Sequence, residues 1–122
     1  MKVILKRVNK PIEIIDIDKE YVTDIARELI GNNDRKINIE TVKCGECFRM
    51  YCDEEGIPKQ LPKNFGMWTT SSFYPFQNVF GDVVFIRHKY VDIYEEEIWD
   101  YEPLDITEED IETVKRVISG EI

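Results

Sequence analysis

The sequence predicts an α+β fold: a mainly antiparallel sheet of about five strands, one helix packed on a face of it and a last helix at an edge or end. Two observations carry the prediction. Short β-branched or alternating runs come in consecutive pairs around turn residues, which favours antiparallel hairpins. Two other stretches repeat their apolar residues at the spacing of one helix face.

The elements follow in order. Val3-Ile4-Leu5 and Ile12-Glu13-Ile14-Ile15-Asp16-Ile17 flank the turn Asn9-Lys10-Pro11, a first hairpin. Asp18 is placed to cap a helix in which Tyr21, Val22, Ile25, Ala26, Leu29 and Ile30 share a face, and Gly31 closes it. Ile37 to Val42 alternates, turns at Cys44-Gly45-Glu46, and returns as Phe48, Met50 and Cys52 alternating with Arg49, Tyr51 and Asp53. That pattern predicts a second hairpin with one wet face. From Ile57 to Asn78 the periodicity breaks at Pro58, Pro62, Gly66 and Pro75, so the stretch reads as a packed loop covering the core. Val79 to Arg87, with Val83-Val84-Phe85-Ile86, predicts one strong central strand, and Tyr90 to Tyr94 a further edge strand. After Pro103, Thr107 and Asp110 make a capping-box variant that opens a helix with Ile111, Val114, Val117 and Ile118 as its inner stripe.

A chain of 122 residues, 43% apolar and 34% charged, is enough for one globular domain over residues 1–122. No apolar run approaches the roughly 18–20 residues that span a bilayer, and MKVILKRVNK lacks the pattern of a signal peptide, so a soluble cytoplasmic protein is expected. A pI near 4.6 argues against direct binding of nucleic acid or of an anionic membrane, which carry the same sign of charge.

The negative charge is unevenly placed. Residues 92–122 carry twelve acidic and two basic side chains, a balance of −10, whereas residues 1–91 stand at +1. Asp92 to Glu112 holds eleven carboxylates and no Lys or Arg. Glu108, Glu109 and Asp110 suit the first turn of a helix, where the dipole favours anions. Asp92, Glu95, Glu96, Glu97, Asp100 and Glu102, interleaved with Tyr94, Trp99 and Tyr101, have no such explanation. They lack the ladder of a calcium loop and are too numerous to single out a catalytic pair. They do suit a surface that meets a basic protein, and equally a solvated acidic exterior.

Cys44, Cys47 and Cys52 form a C-x-x-C and a third thiol within nine residues. With His88, the sole histidine, they could complete a zinc-stabilised Cys₃His domain, although no second C-x-x-C supports it. On strand parity Cys52 reads more simply as a core residue, and His88 as an exposed strand-end residue. Phe65, Met67, Trp68, Phe73, Tyr74 and Phe76 close the core or form a recognition patch.

Cys52-Asp53-Glu54-Glu55-Gly56, Leu61-Pro62-Lys63-Asn64 and Val79-Phe80-Gly81-Asp82 resemble the motifs of a family of small phage, mobile-element and Firmicute proteins known as domain of unknown function 3846. Residues 87–105 depart from it in length and acidity. The resemblance implies a genomic setting rather than a reaction. No catalytic motif stands out, and the expectation is a non-enzymatic accessory protein that engages a basic, nucleic-acid-handling enzyme of the host. The alternatives are the zinc-stabilised domain and a small-molecule binder using a pocket beneath residues 57–78.

Overall fold

The structure, a computed structural model, describes residues 1–31, 37–69, 75–89 and 102–120. The elements run β1 (Lys2–Lys6), β2 (Glu13–Asp16), α1 (Val22–Gly31), β3 (Ile39–Gly45), β4 (Phe48–Asp53), β5 (Lys63–Trp68), β6 (Phe76–Phe80), β7 (Val83–His88), β8 (Pro103–Leu104) and α2 (Glu108–Ile118). The fold is α+β, and every strand pairing is antiparallel.

The main sheet has the order β2-β1-β7-β4-β3. β4 takes one edge of β7, and β1 takes the other. Because Arg87 is paired with both Phe48 and Leu104, β8 must continue the edge occupied by β1. The consecutive apolar residues of β7 are explained by cover on both faces: Val84 and Ile86 join one core, Val83 and Phe85 the other, and all four are fully buried. Each such side chain contributes about 1.5–3 kcal/mol through the surface it removes from water.

α1 covers the first face. Val22, Ile25 and Ala26 lie at helical spacing and pack on Val3, Leu5, Tyr51, Val84 and Ile86. The opposite face is covered by a separate two-stranded sheet, β5-β6, together with α2, so the molecule has three layers. Phe65, Met67 and Val79 descend from β5-β6, and Val114 from α2, onto Ile4, Phe48, Met50, Val83 and Phe85.

Four features differ from the sequence reading. Residues 57–78 hold most of the hairpin β5-β6 in place of a loop, and Val79 lies in its second strand rather than opening β7. Gly81, at φ +83°, makes the turn between β6 and β7 that the continuous apolar run concealed. The expected wet face of the second hairpin is covered in part: Tyr51 is buried under α1 and Arg49 and Asp53 are half-buried, while Thr41 and Lys43 on β3 stay exposed. α2 lies over a face rather than at an edge or end, since Val114, Val117 and Ile118 reach the same core as Phe85. The expected strand at Tyr90–Tyr94 lies outside the described residues.

The capping box is as expected. Thr107 accepts from the Asp110 N–H at 3.1 Å, and the Asp110 carboxylate accepts from the Thr107 N–H at 2.9 Å. No described helix is long and apolar enough to cross a membrane.

Candidate functional site

Of the acidic stretch, residues 92–101 lie outside the described residues, and with them Asp92, Tyr94, Glu95, Glu96, Glu97, Trp99, Asp100 and Tyr101. Its C-terminal part is placed. Glu102 is exposed and lies 3.6 Å from Lys89; Glu112 pairs with Lys115 one helical turn away at 3.3 Å. Asp105 accepts the Lys2 backbone N–H at 2.8 Å, which ties the return of the chain to its N-terminal strand. Glu108 and Glu109 stand exposed in the first turn of α2.

Asp110 belongs to the interior. Only 3% exposed, it receives both Nε (2.7 Å) and Nη2 (2.6 Å) of Arg87, a fork that pins α2 to the end of β7. Burial alone would push its carboxyl up. The Arg87 hydrogen bonds and charge, with the Thr107 N–H, outweigh that and hold it below the ordinary value. The hydrogen bonds to Asp110 raise Arg87 in turn.

Cys44 and Cys52 both face the β5-β6 layer, Cys52 beside Phe48 and Met50 as strand parity suggests. Their Sγ atoms lie 3.7 Å from the Val42 carbonyl and 3.9 Å from the Glu40 carbonyl. Burial pushes the Cys44 thiol up to about 11 and the Cys52 thiol up to about 12, with Glu40 and Asp53 adding to the latter. Among the described residues no three His, Cys, Asp or Glu side chains are grouped so as to hold a metal ion.

His88 is not the exposed strand-end residue that the sequence suggested; it is 3% exposed. Its backbone N–H donates to the Cys47 carbonyl at 2.9 Å, and its Nδ1 lies 2.9 Å from the Lys89 carbonyl. A carbonyl only accepts, so Nδ1 carries the proton. Burial first, then the nearby Arg49 and Arg87 charges, lower its pKa despite the Lys89 hydrogen bond.

The aromatic residues of 57–78 divide. Phe65 and Met67 enter the core, whereas Trp68 and Phe76, 43% and 47% exposed, form an edge-to-face pair 5.1 Å apart on the outer face of β5-β6. Phe73 and Tyr74 lie outside the described residues.

Beneath the same hairpin, where the sequence reading set the pocket of its small-molecule alternative, lies a cleft of about 140 Å³. Strand alternation builds it. Val42, Met50 and Cys52 look up from β3-β4, and Met67 and Val79 look down from β5-β6. Where the two sheets separate, Glu40, Thr69 and Gln77 reach the same opening from the next positions along their strands. The readable signal was the alternation of Phe65 and Met67 with Asn64, Gly66 and Trp68, which Pro62 and Pro75 obscured.

Comparison with known proteins returns no matching family model, no similar curated protein and no similar solved structure.

Proposed function

We propose that this protein is a non-enzymatic binding protein, an accessory factor of a phage or mobile element, whose acidic surface engages a basic, nucleic-acid-handling protein. The observation that supports it is the charge distribution: −10 over residues 92–122 against +1 over the rest. The likeness to domain of unknown function 3846 supports the genomic setting. The placed carboxylates narrow the surface. Asp110 is withdrawn into its pair with Arg87, while Glu102 and Glu112 keep exposed pairs with lysines. Exposed pairs of that kind contribute only about 0–1 kcal/mol and leave the carboxylates accessible to a partner. Glu95, Glu96 and Glu97 supply steering, and Tyr94, Trp99 and Tyr101 the apolar anchors.

The test is affinity capture at low salt from a phage-infected host, followed by binding kinetics with the recovered partner. Binding is expected to weaken steeply with salt. Reversal of Glu95, Glu96 and Glu97 to Lys is expected to slow association more than it speeds dissociation, and Trp99→Ala to cost about 2 kcal/mol of affinity. Binding insensitive to salt and to the triple reversal would exclude the acidic surface as the contact.

A further inference from the structure

None of the described residues of the acidic stretch lines the cleft between β3-β4 and β5-β6, and what the cleft holds does not depend on whether that stretch meets a basic protein. We infer that it is a binding site for one protonated amine on a short aliphatic stem, the chemistry shared by a lysine side chain and a free alkylamine.

Size sets the first limit. Binding pockets for drug-sized ligands and cofactors run from about 300 to 1,000 Å³. At about 140 Å³ this cleft is less than half the lower bound. At roughly 10–15 Å³ of such space per water molecule, it has room for several waters, and so for a short aliphatic chain. Four methylenes and a nitrogen fit within it.

The lining sets the chemistry. Val42, Met50, Met67 and Val79 offer carbon and thioether surface to an aliphatic stem. Cys52 stays a neutral thiol, since burial raises its pKa to about 12. The charge on the walls is of one sign: among the described residues no Lys, Arg or His lines the cleft, and two carboxylates do. These carboxylates are not equivalent. Asp53 is already held by Lys59 at 2.8 Å and by the Glu55 N–H at 2.9 Å. Glu40 makes no ion pair among the described residues. An apolar slot bordered by a carboxylate that makes no ion pair among the described residues repels anions, gives a neutral ligand only its stem contacts, and gives a monocation both stem and charge.

The test is an amide chemical-shift titration of the full chain at pH 7 and low salt. The probes are n-butylammonium, a lysine with both main-chain ends blocked, 1-butanol and butyrate. The two cations are expected to shift the amides of Glu40, Cys52, Met67 and Gln77 saturably, butanol to bind about fivefold more weakly, and butyrate not to bind. Glu40→Gln is expected to weaken the cations about threefold, the effect of one exposed charge, and Glu40→Lys to abolish their binding. Tighter binding of the blocked lysine assigns the site to a protein side chain; tighter binding of butylammonium assigns it to a free amine. Equal binding of butanol, indifference to both Glu40 substitutions, or shifts confined to residues 102–120 would overturn the inference. Since Glu40 is exposed on an edge strand, an unchanged amide spectrum of each variant verifies that it folds.

Discussion

Asp110 joins three groups with one carboxylate: the guanidinium of Arg87 on β7, the N–H of Thr107, and the first turn of its own helix. Asp110→Ala removes the ion pair and half of the capping box, and is expected to cost about 2–3 kcal/mol in chemical denaturation at pH 7. That is below the cost for a fully buried pair, because Arg87 keeps 29% of its side chain exposed. Asp110→Asn retains an acceptor for the cap and should cost less. Asp110 and His88, both with depressed values, act in separate pH windows. Asp110 titrates below the ordinary aspartate value, so its contribution is complete above the unfolded pKa of about 3.9 and lost as pH falls through the folded value. His88 also titrates below its ordinary value, and the unfolded chain takes up the proton first. Stability therefore declines as pH falls from about 6.5 toward the folded pKa, a slope that His88→Gln is expected to flatten in melts between pH 7 and 5. The raised thiols give a third expectation. At pH 8, mass spectrometry should find Cys44 and Cys52 alkylated by iodoacetamide far more slowly than a cysteine in a short unstructured peptide; equal rates would contradict their burial.

At the scale of elements, β5-β6 shows best where the chain is readable and where it is not. A Cβ on Gly66 would stand 2.5 Å from Cζ of Phe76, so the Phe76 ring lies across this glycine and against Trp68. Gly66→Ala is expected to push the ring aside and cost about 1 kcal/mol, the value of an aromatic pair. In a Trp99→Phe background, which leaves Trp68 as the sole tryptophan, a changed near-ultraviolet circular dichroism of Trp68 checks it. The same glycine and the flanking prolines hid the hairpin, because a strand carrying its partner's ring on a bare backbone position shows no side-chain alternation there. α2 was legible because its signals are local: cap, first-turn acids and inner stripe fall within twelve residues. The burial of His88 was not legible, since it depends on the turn after β3 and on β8 closing around the end of β7. A pocket beneath residues 57–78 was in reach, but its opposite wall of Glu40, Val42, Met50 and Cys52 was not, as the two walls are separated by the β4-β5 connection and meet only in the tertiary structure.

For the whole molecule, three layers give the main sheet two apolar interfaces, and β7 contributes to both. Phe85→Ala is expected to cost about 3–5 kcal/mol, a large part of the stability of a domain this size, and to broaden the amide spectrum throughout rather than in one layer. β7 pairs with residues 4–6 on one side and 48–51 on the other, and Ile106 donates its N–H to the Lys2 carbonyl. The order of synthesis is thereby set against the order of assembly. β1 can pair with β2 as soon as both are made, but its second neighbour, β7, lies more than seventy residues further along the chain, and until then Ile4 lacks its partner Phe85. Nascent chains halted before residue 83 should stay protease-sensitive, and refolding should run at the slow rates typical of long-range strand pairing.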